Sequence, residues 1–120
     1  MRTIFENSLI RVDVEKSEIP WFKIFSTKPY REFFSATEEV KAEIIRALDI
    51  ISEEMIEFYE PEKINIASFG NYIPHLHWHV MARFKNDSYF PEPVWGKKQR
   101  RGTYKIKRFD EFIKIVQNKI

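Results

Sequence analysis

All three histidines of the chain fall in one five-residue window, at His75, His77 and His79. They alternate with apolar residues, and the alternation continues to the end of the segment 73–84. Because successive side chains of a β-strand point to opposite faces, this pattern predicts a half-buried strand with the three imidazoles on its polar face. The Cα atoms of neighbouring histidines would then stand roughly 6.5–7 Å apart, close enough for the side chains to meet through a small group such as a phosphate.

Three interpretations fit these histidines. The first is a polar strand face without chemistry, which accords poorly with the fact that every histidine of the chain lies in this window. The second is a metal site, because neutral imidazole is the commonest metal ligand. There is no cysteine and no acidic residue close in sequence, so a further ligand would have to come from elsewhere in the fold. The third is chemistry on a phosphate, in which one imidazole attacks and a second handles the proton.

The residues around the histidines resemble the signature of the histidine triad (HIT) family. The run from Gly70 to Val80 reads GNYIPHLHWHV, and the family motif likewise has three histidines that alternate with apolar residues. The run is similar in particular to short bacterial members, in which an Ala-Arg-Phe run and a Phe-Pro-x-Pro-x-Trp segment follow the triad. The second of these segments is residues 90–95 here. The clear resemblance covers about residues 62–96.

This resemblance implies a nucleotide-binding hydrolase or transferase. Its expected substrates are nucleoside phosphoramidates, dinucleoside polyphosphates or nucleotidylated adducts, cleaved at the α-phosphate through a nucleotidyl-histidine intermediate. The resemblance assigns the attack to His77, places His79 beside the leaving group as a proton donor, and gives His75 the role of orienting His77. No metal or cofactor is expected. Two alternatives remain open: a nucleotide-binding module with little turnover, and a metal-dependent enzyme that uses the three histidines as ligands.

Five further residues are predicted to bind substrate. Gly70 and Asn71 form a turn in which positive φ is tolerated and a phosphate can approach the backbone. The resemblance implies that the loop before the third strand offers an Asn or Asp to the ribose hydroxyls, and Asp13 and Glu15 are the candidates. It also makes Trp95 a candidate wall of the pocket.

Composition bounds the rest of the function. A chain of 120 residues is expected to form a single domain over 1–120 with one core. It has no apolar run of membrane-spanning length, no signal-peptide pattern and no cysteine, from which we expect a cytoplasmic protein that does not enter a membrane. A net charge of +2 gives no strong field to attract nucleic acid. The partners that the resemblance implies are a nucleotide, with adenine as the expected base, and a second copy of the chain in a homodimer.

The segments around the histidines predict an α+β fold, which the resemblance identifies as HIT-like: an antiparallel sheet of about five strands, one long helix and a short C-terminal helix. The strands are predicted by runs of β-branched and aromatic residues between turn-forming residues. They are a hairpin over 3–14 with its turn at 6–8, then 21–25, 63–69 and 73–84. Several branches of the family place a further histidine near Trp21, and this chain has none there.

The long helix is predicted over residues 35–59. Ser35 and Glu38 have the spacing of a capping box, and apolar residues recur every three to four positions. The segment 97–108 carries seven Lys and Arg side chains, and it fits either a solvated, flexible surface run or a patch that attracts polyphosphates. An amphipathic helix over 109–119 completes this C-terminal extension of the domain.

Overall fold

One antiparallel sheet of five strands carries the histidines in the computed structural model, which describes residues 2–120. The strands are β1 (Arg2–Glu6), β2 (Ile10–Val14), β3 (Trp21–Ser26), β4 (Lys63–Ala67) and β5 (His77–Arg83). Their order across the sheet is β1-β2-β3-β5-β4, which places the histidine strand between β3 and the edge strand β4. The predicted α+β fold with five antiparallel strands is confirmed.

The long helix, α1 (Glu38–Tyr59), begins later than predicted. Its N-cap is Thr37, whose side-chain oxygen accepts a hydrogen bond from the backbone N–H of Val40 at 3.2 Å. Ser35 instead lies in a short 3₁₀ helix, Phe33–Ser35. The predicted capping box is therefore wrong, because Thr37 supplies the same chemistry directly before two acidic residues that suit the positive end of the helix dipole.

Both helices cover the same face of the sheet. Helix α1 packs on β2, β3 and β5, and α2 (Phe109–Lys119) packs on α1 and β1. The apolar stripe predicted for α1 is buried from Val40 to Met55, and α2 buries Phe112, Ile113 and Val116. The histidine face of the sheet lies on the other side. None of the helices formed by residues 2–120 is long and apolar enough to cross a membrane.

The histidine strand is buried on both faces, which corrects the prediction of a half-buried strand. On the histidine face, Met81 and Arg83 are each only 1% exposed. Arg83 is covered by Asp87, with which it forms a fully buried ion pair at 3.0 Å. The strand is also shorter than predicted, since residues 73–76 lie in the loop before it. Sequence alternation alone could not reveal this second cover, because residues outside the strand supply it.

The basic segment 97–108 has neither helix nor strand, yet it is attached to the fold. The backbone N–H groups of Gln99 and Thr103 donate to the carbonyls of Ser88 and Asn86 at 2.8 and 2.9 Å. Tyr104 stacks on Phe84 with 3.7 Å between ring centroids. Cations at the end of the segment border a depression of about 560 Å³ that is separate from the histidines.

Candidate active site

Pairing of β3 with β5 builds a cavity on the histidine face of the sheet. Lys23 lies opposite His79, and Phe25 lies opposite His77. Gly70, at a φ of 71°, turns the chain within the loop between β4 and β5. The cavity has a volume of about 380 Å³, within the range of small-molecule sites. It is lined by Glu15, Trp21, Lys23, Phe69, Gly70, Asn71, Tyr72, Ile73, His77, His79 and Trp95.

His77 presents a free lone pair to the cavity. Its Nδ1–H donates to the backbone carbonyl of His75 at 2.7 Å. Because a carbonyl only accepts, the proton of the neutral ring lies on Nδ1 and the lone pair lies on Nε2. The ring stacks on Phe25, with 5.0 Å between centroids and 24° between planes, and the residue is 8% exposed. Nε2 is thus the nitrogen of His77 that is available to attack a bound substrate.

His79 presents the opposite group. Its Nδ1 accepts a hydrogen bond from the indole N–H of Trp21 at 3.0 Å, so the proton of the neutral ring lies on Nε2. Burial, together with the nearby His77 and Lys23, lowers the pKa of His79 to about 4, and the ring is therefore neutral at pH 7. The His77 and His79 rings stand edge to face at 5.1 Å between centroids. A lone pair and an N–H donor are thereby held side by side.

The side chain of His75 is directed elsewhere. Its Nε2–H donates to the backbone carbonyl of Ser26 at 2.6 Å, and its ring meets the edge of Phe25. Its contact with His77 is made by its backbone carbonyl. His75 therefore does not line the cavity, but it attaches the loop before β5 to the end of β3 and fixes the carbonyl that sets the tautomer of His77.

Lys23 is a cavity residue that sequence reasoning missed. Its Nζ lies 3.3 Å from a carboxylate oxygen of Glu15, and the two side chains are 12% and 30% exposed. Alternation along β3 places Trp21, Lys23 and Phe25 on one face, which was visible in the sequence. This face of β3 is the histidine face because β3 pairs with β5, and that pairing could not be predicted from the sequence.

The two carboxylates predicted to bind ribose are in different places. Glu15 lines the cavity. Asp13 lies two residues earlier, on β2, opposite Lys23. It is 3% exposed and accepts hydrogen bonds from Thr3 Oγ1 at 2.7 Å and from Arg11 Nε at 3.2 Å. The structure therefore does not bring Asp13 to the cavity.

Aromatic side chains surround the His79 end of the cavity. The ring of Trp95 lies 4.8 Å from His79, 4.9 Å from Phe69 and 5.5 Å from Trp21, all measured between centroids. We call Trp21, Phe69 and Trp95 the aromatic wall. Phe69 and Trp95 remain 59% and 49% exposed, so that a flat ligand can pack on them. The predicted residues Gly70 and Asn71 also line this cavity.

Residues 2–120 contain no group of three or more His, Cys, Asp or Glu side chains arranged to hold a metal ion. Each imidazole has one nitrogen bonded within the protein: Nε2 of His75 to Ser26, Nδ1 of His77 to His75, and Nδ1 of His79 to Trp21. Because Nδ1 of His79 accepts a hydrogen bond, its Nε2 carries the proton and offers no lone pair to a metal ion.

Comparisons with known proteins agree with this architecture. Residues 4–86 match the HIT domain. The chain is similar to the crystal structure of a histidine triad protein from Bradyrhizobium japonicum, with 30% identity, a TM-score of 0.81, and coverage of 98% of this chain and 89% of that one. It is also similar to a histidine triad protein from Marinobacter aquaeolei, with 27% identity, a TM-score of 0.74, and coverage of 98% and 84%. A third, from Sinorhizobium meliloti, has 23% identity, a TM-score of 0.79, and coverage of 99% and 89%. No curated protein matches the chain.

Proposed function

The chain belongs to the HIT family of nucleotide-binding hydrolases and transferases, and on that premise we propose that it cleaves nucleotides at the α-phosphate through a nucleotidyl-His77 intermediate. Its proposed substrates are adenosine phosphoramidates, dinucleoside polyphosphates or nucleotidylated adducts. The observation that carries this proposal is the pair of complementary tautomers, a lone pair on His77 beside an N–H on His79. Such a pair matches a phosphoryl group, which has an electrophilic phosphorus and accepting oxygens.

In the first step, Nε2 of His77 donates its lone pair to the α-phosphorus. The bond from phosphorus to the leaving group breaks, and the leaving group keeps the electron pair. Because His79 is neutral at pH 7, we propose that the leaving group takes up a proton from solvent, in place of the proton transfer from His79 that the resemblance implied. The ring now carries a positive charge, which the hydrogen bond from Nδ1–H to the His75 carbonyl stabilises. Water then attacks phosphorus and releases one proton to solvent, the Nε2–P bond breaks, and its electron pair returns to His77 as the lone pair. Two easier displacements thus replace one difficult displacement.

The remaining cavity residues complement an anionic nucleotide. His79 donates its Nε2–H to the phosphoryl oxygens, where developing charge gains most from a fixed donor. Lys23 balances the charge of the α-phosphate at a site with little solvent. Glu15 lines the cavity and Asp13 does not, which supports Glu15 as the residue that accepts hydrogen bonds from ribose hydroxyls. Gly70 and Asn71 contact the phosphate or the leaving group.

Turnover of a fluorogenic adenosine phosphoramidate tests this proposal. We expect multiple turnovers with release of AMP and of the free amine. The alternative, a nucleotide-binding module, predicts that AMP binds in calorimetry while no amine is released. Release of the amine at the rate of the uncatalysed reaction would therefore refute the enzymatic proposal and favour the binding module.

We also propose a two-fold homodimer. Strand β4 lies at the edge of the sheet, and Ile66 on it is 47% exposed. Ile45 and Ile56 on helix α1 are 47% and 55% exposed. Pairing through the strand edge and the helix would bury these side chains and cover an open row of backbone groups. Sedimentation at micromolar concentration should show twice the 14.6 kDa chain mass, and a 14.6 kDa species alone would contradict the dimer.

A further inference from the structure

Trp21 contacts His79 in a way that no other aromatic residue of the cavity does. Its indole N–H donates to Nδ1 at 3.0 Å, and the two rings meet at 5.6 Å and 64°. The backbone of Trp21 is fixed in β3, opposite Met81 of β5, and its ring packs against the edge of Trp95. The donor is therefore held by the sheet on one side and by the aromatic wall on the other.

We propose that Trp21 is a positioning residue of this site: its indole N–H holds His79 in the tautomer with the proton on Nε2 and keeps that N–H directed at the phosphoryl group. The kinetic part of this inference rests on the proposed function.

The chemistry of indole makes the choice of tautomer one-sided. Indole has an N–H donor and no acceptor. A neutral His79 with its proton on Nδ1 would set two N–H groups against each other, and so would an imidazolium, which carries a proton on both nitrogens. A ring rotated by 180° would offer a carbon to the indole in place of Nδ1. Trp21 therefore disfavours three states in which His79 is the wrong donor or is wrongly oriented.

The titratable groups around His79 either favour its neutral form or make no bond to its ring. His77 precedes His79 on the same strand, and Lys23, paired with Glu15, faces His79 from β3. Both His77 and Lys23 lower the pKa of His79. From the loop before β5 the titratable group at the cavity is Tyr72, which is fully exposed. None of these groups bonds Nδ1. The electrostatics keep the ring neutral, but only Trp21 distinguishes its two neutral tautomers.

The first test is spectroscopic and needs no turnover. With only three histidines, a protein labelled with ¹⁵N in its imidazoles gives assignable Nδ1 and Nε2 shifts. Wild type should show His79 as the Nε2–H tautomer, with a coupling across the hydrogen bond between Trp21 Nε1 and His79 Nδ1. Absence of that coupling together with a mixture of tautomers in wild type would overturn the inference, and this measurement does not depend on any variant folding.

Variants supply the second test. Trp21→Phe keeps an aromatic ring but removes the donor, so the Nδ1–H tautomer should appear and the midpoint for protonation of His79 should rise. Trp95→Phe is the matched control, because it removes an indole N–H from a ring that also touches His79 but leaves the Trp21 bond in place. Its tautomer should match wild type. An unchanged tautomer in Trp21→Phe, or the same change in both variants, would overturn the proposal.

Kinetics connect the tautomer to catalysis. Loss of one oriented hydrogen bond predicts that Trp21→Phe lowers kcat for the phosphoramidate about 3- to 10-fold, with KM changing less. A changed tautomer with unchanged kcat would show that Trp21 does not position His79 for the reaction. If wild type has no turnover at all, the proposed function fails, while the spectroscopic result on His79 still stands by itself.

Discussion

Replacing Asp87 by Asn is expected to destabilise the protein and to loosen one wall of the cavity. Oδ2 of Asp87 accepts from Arg83 Nε and from the backbone N–H of Phe84, each at 3.0 Å. Oδ1 accepts from Arg83 Nη2 at 3.1 Å and from the backbone N–H groups of Tyr89 and Phe90 at 3.0 and 2.8 Å. Burial acts to raise the pKa of Asp87, but Arg83 and the three backbone donors together hold that pKa below its usual range.

The size of the effect follows from burial. Asp87 and Arg83 side chains are each 1% exposed, and an amide removes the charge that balances the guanidinium. It also replaces one accepting oxygen by an NH₂ group that faces donors. Removing one partner of a buried ion pair costs about 3–5 kcal/mol of unfolding free energy. Asp87 also fixes the backbone at Phe90, and the chain runs from there to Trp95 in the cavity wall. We therefore also expect Asp87→Asn to weaken the binding of AMP.

Urea denaturation at one fixed protein concentration measures this prediction, since self-association would itself stabilise the fold. Glu62→Gln is the matched control: Glu62 lies 3.7 Å from Lys85, the two side chains are 45% and 76% exposed, and its loss should cost less than about 1 kcal/mol. Because the folded pKa of Asp87 is lowered, its contribution is fully present above the unfolded pKa of about 3.9 and is lost as pH falls further. If Asp87→Asn had the same free energy of unfolding as Glu62→Gln at pH 7, the reasoning would be refuted.

Three further predictions concern the helix cap, the cavity cation and metal dependence. Thr37→Ala should cost about 1 kcal/mol in urea denaturation, whereas Ser35→Ala should cost clearly less; equal costs would restore Ser35 as the cap. Lys23→Met should lower kcat/KM for the phosphoramidate and raise the pKa of His79 in an NMR titration, and an unchanged pKa would show that Lys23 does not act on that ring. Turnover should survive EDTA and should not increase with zinc, and loss on chelation with recovery on adding zinc would support the metal-ligand alternative.

Elements that depend on local periodicity could be predicted from the sequence. The stripe from Val40 to Met55 repeats at helical spacing and is buried as expected, and the alternation around His77 marks a strand. The end of α1 near Glu60 and the turn at Asn7 also follow from local chemistry, since the Asn7 side chain accepts hydrogen bonds from two backbone N–H groups that follow it.

Features that depend on long-range pairing could not be predicted in this way. Met81 on the histidine face is 1% exposed and lies opposite Trp21 of β3 and Asn65 of β4, which are remote from it in sequence. Asp13 and Glu15 lie at and just beyond the end of the same strand, and the choice between them depends on the long-range partner that each meets, Thr3 for Asp13 and Lys23 for Glu15. The role of Lys23 depends on the register of β3 against β5. The bond between Trp21 and His79 joins residues 58 positions apart, and no local pattern announces it.

In the proposed mechanism, Nε2 of His77 forms a covalent bond to the substrate phosphorus. Mass spectrometry of wild-type enzyme quenched during turnover of adenosine phosphoramidate tests it most directly. We predict one added adenylyl group on the peptide that contains residues 75–79, localised to His77, and no adduct in His77→Ala, which should still bind AMP. An adduct on His75 or His79, or a His77→Ala enzyme that turns over at near the wild-type rate, would contradict the claim.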